Sequence, residues 1–291
     1  MSRADLALLF ICAIWGTTFA LLRDALRSIS PAELVAYRFT IAAVALSLVS
    51  FRRMRRWRPQ WVRDGLAIGV VVAIGYMTQV IGLRTVTASR SAFITSMSIA
   101  IVPLIAYAVL RTRPVLGEAL GVALAVAGLV LFSADAGFSL RSGEAWTLVC
   151  AAAFAVQIVV THVAGKRSPT LPISILQTVV GALAGWALVV AAGGGKLTPL
   201  RQVPWSVLLY LGIVATAFII LVQTWALART SSVKAGVLYA TEPIFAAIFA
   251  ASFFGERMSP RELAGAGFIL AGVFVSELWR PLVRSRGPWW A

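Results

Sequence analysis

Residues 232–254 read SVKAGVLYATEPIFAAIFAASFF, and the reading of this stretch decides the fold. At about 1.5 Å per residue it is long enough to cross a ~30 Å hydrocarbon layer as one helix. Glu242-Pro243 sits at its centre among residues that otherwise suit lipid. A charge at mid-bilayer costs roughly 2.5 kcal/mol or more even on lenient insertion scales, so an intramembrane carboxylate marks either a functional site or a buried structural contact with a named partner.

Working outward, the whole chain has the same character. It has 291 residues, 60% hydrophobic and 13% charged, with a mean hydropathy of +0.89. These values exclude an ordinary soluble domain and predict an all-α polytopic membrane protein. Ten transmembrane helices are expected at 5–26, 31–51, 62–83, 90–110, 115–133, 144–164, 171–192, 204–227, 232–254 and 260–279. Strict period-2 alternation is absent, which argues against a β-barrel. The first span continues into Leu21-Leu22-Arg23 without a small-residue cleavage site and is followed at once by another span, so it is read as a retained helix rather than a signal peptide.

The net charge of +15 lies in short loops between spans rather than along a soluble face, so no nucleic-acid partner is expected. With the N-terminus inside, sixteen Lys and Arg residues fall on the cytoplasmic side, including Arg52, Arg53, Arg55, Arg56, Arg58 and Arg63, against nine opposite. Both termini are therefore expected in the cytoplasm of a bacterial inner membrane. Anionic lipid head groups are a second reading of the 52–63 block. Cys12 and Cys150 lie inside spans without metal-ligand spacing, so neither a disulfide nor a metal site is proposed.

An internal duplication sets the architecture. Asp5 aligns with Glu144, Ser30-Pro31 with Ser168-Pro169, Trp61 and Gln79 with Trp205 and Gln223, Arg84-Thr85 with Arg229-Thr230, and Ala127-Gly128 with Ala271-Gly272. Residues 1–137 and 138–291 are thus expected as two five-helix repeats. An odd helix number inverts the second relative to the first, and inverted repeats place a solute cavity at their interface.

These residues resemble the drug/metabolite transporter superfamily in its EamA branch. The resemblance is carried by Trp15-Gly16, Arg38, the Thr-Ala-Ser-Arg-Ser-Ala run at 87–92, Glu242-Pro243 and Gly255-Glu256-Arg257, and within the branch the chain is similar overall to YddG-type exporters of aromatic amino acids. It implies ten helices, cytoplasmic termini, a central cavity lined by spans 1, 3, 4, 6, 8 and 9, and export of small metabolites. One departure is that Met97-Ser98 stands in the first half where the second has Glu242-Pro243, so the family's membrane-centre Glu occurs once.

Polar and aromatic groups cluster on those same six spans, since polar side chains avoid lipid. The candidate substrate-binding residues are Trp15, Thr18, Arg38, Tyr76, Gln79, Phe93, Ser96, Gln157, Tyr239 and Glu242. Arg38 and Glu242 lie at similar depths. They are read either as seats for a solute carboxylate and an ammonium or coupling proton, or as a mutual salt bridge between helices. Pro243 withholds an N–H from the turn before it and frees a carbonyl near Tyr239. Gly121 and Gly128, with Gly265 and Gly272, mark close helix packing within or between monomers. His162 is read as an interfacial histidine or a proton relay, and Trp279, Trp289 and Trp290 as interface anchors.

No P-loop, catalytic carboxylate pair or nucleophile with a nearby histidine is visible, so an enzyme, a cofactor and direct use of ATP are not expected. The leading expectation is a secondary exporter of amino acids or related metabolites. Proton-coupled efflux of cationic drugs is the alternative.

Overall fold

A computed structural model of the chain describes residues 1–50, 57–111, 114–132, 142–193, 197–254 and 259–284. The arginines of 51–56, Arg113, the Gly255-Glu256-Arg257 motif, Arg286, Trp289 and Trp290 lie outside the described residues, as do the side chains of Trp279, Arg280 and Arg284.

Among the described residues the regular structure is helical. In order come α1 (Arg3–Ala25), α2 (Pro31–Ser50), α3 (Pro59–Leu83), α4 (Ala88–Ser96), α5 (Ser98–Leu110), α6 (Leu116–Phe132), α7 (Ser142–Gly165) and α8 (Thr170–Gly193). They are followed by α9 (Trp205–Leu209), α10 (Ile219–Leu227), α11 (Ser232–Tyr239), α12 (Glu242–Phe254) and α13 (Pro260–Arg284). A π-helical segment, Tyr210–Phe218, joins α9 to α10. Single or paired residues separate α4 from α5 and α11 from α12, so these elements form ten helical rods at the places the hydropathy predicted. Eight are long and apolar enough to cross a membrane, and Leu116–Leu131 is apolar but shorter.

Helix starts follow local capping chemistry. Ser2 and Asp5, Ser30 and Glu33, and Ser259 and Glu262 each exchange two side-chain-to-backbone bonds, which satisfy amides that the first turn leaves open. Thr87 and Ser231 cap α4 and α11 by accepting from the amides of Arg90 and Lys234.

Three spans differ from expectation. Spans 90–110 and 232–254 are broken, at Met97 and at Ala240-Thr241. In the second, Pro243 has no N–H for the Tyr239 carbonyl, and no other backbone amide among the described residues donates to it. Span 204–227 carries the π-helical stretch, which composition does not signal.

The packing suits a hydrocarbon solvent. Leu48, Leu104 and Leu183 are exposed while Thr147, Gln177, Thr178 and Thr224 are fully buried. α6 lies against α13 with backbones nearly touching. A Cβ on Gly121 would stand 2.8 Å from the Gly272 carbonyl, and one on Gly128 would stand 2.6 Å from that of Gly265. The glycine pattern therefore serves packing within one chain.

Candidate functional site

At the centre of the bundle lies a cavity of ≈ 40 Å³ that is partly continuous with the exterior. Every predicted residue except Phe93 lines it: Trp15 and Thr18 of α1, Arg38 of α2, Tyr76 and Gln79 of α3, Ser96 of α4, Gln157 of α7, Tyr239 of α11 and Glu242 of α12. Phe93 is instead buried in the apolar core beside Ala92 and Ile94. Arg38 adds span 2 to the six helices that polarity pointed to.

The Arg38 guanidinium is held from behind. Its Nη2 donates to the Ala215 carbonyl at 2.9 Å and its Nε donates to the Thr216 hydroxyl, both acceptors lying in the π-helical segment. The Thr216 hydroxyl spends its own proton on the Leu211 carbonyl five residues back, so its oxygen is available to accept. The Tyr76 ring covers the guanidinium at 4.6 Å and is itself fixed edge-to-face between Phe39 and Phe154. Arg38 Nη1 remains buried without a hydrogen-bond partner.

Glu242 opens α12 and is 7% exposed. No hydrogen bond or ion pair reaches its carboxylate among the described residues, and Arg38 makes no salt bridge to it. The interhelical salt bridge entertained from sequence is therefore not formed. A buried guanidinium and a buried carboxyl group line the same cavity without bonding to each other, which leaves polar groups of both facing the cavity.

A polar chain runs along the cavity wall. Gln157 Nε2 donates to Thr161 Oγ1 and to Gln223 Oε1, both at 3.2 Å, and Gln223 Nε2 donates to the Tyr239 hydroxyl at 3.0 Å. The Tyr239 ring packs on Trp15 with centroids 5.4 Å apart. Ser96 Oγ is a second buried polar atom of the cavity wall with no hydrogen-bond partner.

Sequence reasoning missed the apolar part of the lining: Phe19, Val72, Phe154, Ile158 and Ile220. By type they match lipid-facing residues. Their available signal is spacing, because Phe19, Val72, Phe154 and Ile220 each lie one helical turn from Trp15, Tyr76, Gln157 and Gln223 respectively.

His162 lies outside this cavity and donates from Nδ1 to the Leu227 carbonyl at 2.8 Å. It lines a second cavity with Glu118, Lys166, Ser231 and Ser232. Among the described residues no cluster of ligating side chains could hold a metal.

Fold and site together define a polytopic helical membrane protein built round a polar and aromatic cavity. The chain belongs to the EamA-like transporter family, matching it over residues 2–134 and again over 141–278. It is 29% identical to an uncharacterized transporter from Archaeoglobus fulgidus, over 94% of this chain and 86% of the relative. Identity is 28% to a probable terminal-alkyne amino-acid exporter from Streptantibioticus cattleyicolor, covering 94% and 93% of the two chains. It is 24% to the uncharacterized inner membrane transporter YedA of Escherichia coli, covering 96% and 92%. A solved crystal structure 19% identical in sequence superposes with a TM-score of 0.76 over 96% of this chain and 98% of its own, a likeness of fold.

Proposed function

We propose that this protein is a secondary transporter that exports neutral amino acids, aromatic ones among them, or related small metabolites across the bacterial inner membrane by alternating access. One observation carries the reading: the Arg38 guanidinium, with Nη1 unpartnered, and the Glu242 carboxyl group line one cavity without pairing with each other. A zwitterion supplies both missing partners, its carboxylate to Arg38 Nη1 and its ammonium to Glu242. The aromatic and apolar wall of Trp15, Phe19, Tyr76, Phe154 and Tyr239 then takes the side chain. The amino-acid exporter among the relatives supports the class of solute. The two successive family matches support two repeats, 1–137 and 138–291, and with an odd number of helices in each the second runs inverted relative to the first in this reading.

Proton-coupled efflux of cationic drugs is the second reading, favoured by the unpartnered Glu242. Against it stands Arg38, which would repel a cationic solute in the same cavity.

Competition in proteoliposomes tests the proposal. Phenylalanine, leucine and other neutral amino acids should compete for a saturable flux, and their amides, which lack the carboxylate, should not. Absence of saturable flux for every amino acid overturns the reading. A flux of organic cations that is driven by a pH gradient and lost in Glu242→Gln selects the second.

A further inference from the structure

Among the described residues three ion pairs join the halves of the chain outside the central cavity; in one, Asp64 with Arg167, the arginine is half exposed, and the other two lie deeper. Lys234 Nζ of α11 donates to Asp5 Oδ2 of α1 at 2.7 Å, with both side chains no more than 4% exposed. Arg90 of α4 meets Glu144 of α7 at 2.5 Å, with side-chain exposures of 17% and 8%. In each pair one partner lies in 2–134 and the other in 141–278, the two segments that match the family separately.

The two deeper pairs are counterparts in the duplication. Asp5 and Glu144 are aligned near the starts of α1 and α7. Arg90 and Lys234 each stand three residues after the N-cap of a broken rod, at Thr87 and Ser231, and each gives its backbone amide to that cap.

They lie at opposite ends of the bundle. α7 begins beside α4, where Arg90 meets Glu144 and Thr95 meets Cys150. It then runs past Gln223 and on to the Leu227 carbonyl, which His162 contacts. The turn beyond Leu227 supplies Thr230, whose hydroxyl donates to Asp5 Oδ1, and then Lys234 itself. From Glu144 to His162 the helix rises about 27 Å at 1.5 Å per residue, close to the thickness of a bilayer core.

The central cavity lies between the two ends. At the Asp5 end, α11 passes from Ser231 and Val233 in the second cavity to Tyr239 in the central one, about 9 Å farther along at 1.5 Å per residue. Lys234 occupies that interval.

We propose that Asp5–Lys234 and Glu144–Arg90 are the two gate latches of the carrier, one at each end of the solute path, and that they part in alternation. Each latch ties a broken rod of one half to an uninterrupted helix of the other. The breaks at Met97 and Ala240-Thr241 let the cap-proximal segments α4 and α11 tilt while α5 and α12 stay packed. When an end opens, water hydrates both charges; when it closes, they must find each other again. Removing one partner therefore penalises the closed form of that end alone, because it takes away an ion pair that the open form does not make. This inference rests on the transporter reading but needs no knowledge of the solute, so failure of the amino-acid panel leaves it testable.

The test uses the full chain with Cys12 and Cys150 replaced by alanine and one reporter, Ser96→Cys, in the central cavity. A membrane-impermeant charged maleimide is applied to vesicles of either orientation. Lys234→Met should raise labelling from the Asp5 side and lower it from the Glu144 side, and Arg90→Met should do the reverse. Each shift should be on the order of tenfold, the scale of one coupling between two conformational states. The exchanged pair Asp5→Lys with Lys234→Asp should return labelling toward the starting values. If a methionine variant does not reach the membrane, Asp5→Asn and Glu144→Gln remove the charge at nearly constant size and should shift labelling in the same directions. Unchanged labelling, or the same sign of change for both latches, overturns the proposal.

Discussion

In the proposed function, solute recognition turns on the Arg38 guanidinium, and Thr216 helps to present it. One hydroxyl donates to Leu211 and accepts from Arg38 Nε, and with Ala215 and the Tyr76 ring it leaves Nη1 as the unpartnered corner. Thr216→Val keeps the shape and removes the acceptor. It should raise KM for carboxylate-bearing solutes about tenfold, the weight of one hydrogen bond to a charged group, with the maximal rate little changed and Thr216→Ser restoring the affinity. Flux kinetics in proteoliposomes measure this, and an unchanged KM would detach Thr216 from recognition. Glu242→Gln is expected to leave folding intact, since no internal ion pair is lost. It should weaken binding of zwitterionic solutes at least tenfold by removing a charge-assisted contact. Size-exclusion profiles and competition assays separate the two effects.

Among the elements, the interrupted rods and the π-helical segment are those the proposed function draws on, whereas α6 and α13 pack closely against each other. Pro243 makes the break before α12 by denying Tyr239 its amide partner. Pro243→Ala restores that donor and should extend the helix through the break. The variant is expected to melt at or above the wild-type temperature while its transport rate falls several-fold, because a rigid rod resists the two arrangements a carrier alternates between. Gly121→Val acts in the opposite way. Its side chain would meet the Gly272 backbone and Ser276, and overpacking of this kind costs about 1–3 kcal/mol. A lower melting temperature in detergent, without a change in solute preference, is the expected result.

For the whole molecule, the charge bias of the loops predicts both termini on the cytoplasmic side. Fusing a reporter that is active only in the cytoplasm, and separately one active only outside, to each end checks this. Activity of the external reporter at either terminus would invert the orientation, and with it the end of the path to which Asp5–Lys234 belongs.

Composition and periodicity were enough to determined where the rods run, because a hydrocarbon solvent demands apolar runs of fixed minimum length and leaves little choice of secondary structure. The same demand made most of the cavity legible: polar groups such as Gln79, Ser96 and Gln157 had to face inward. It also made Phe154 and Ile220 illegible, since an apolar side chain suits lipid and cavity equally well. Only the tertiary structure decided that Phe93 joins the core, that span 8 widens into a π-helical segment round Arg38, and that Arg38 and Glu242 stand apart while Asp5 with Lys234 and Arg90 with Glu144 pair. Those outcomes depend on distances between residues far apart in the chain, which hydropathy, a property of each residue alone, does not contain.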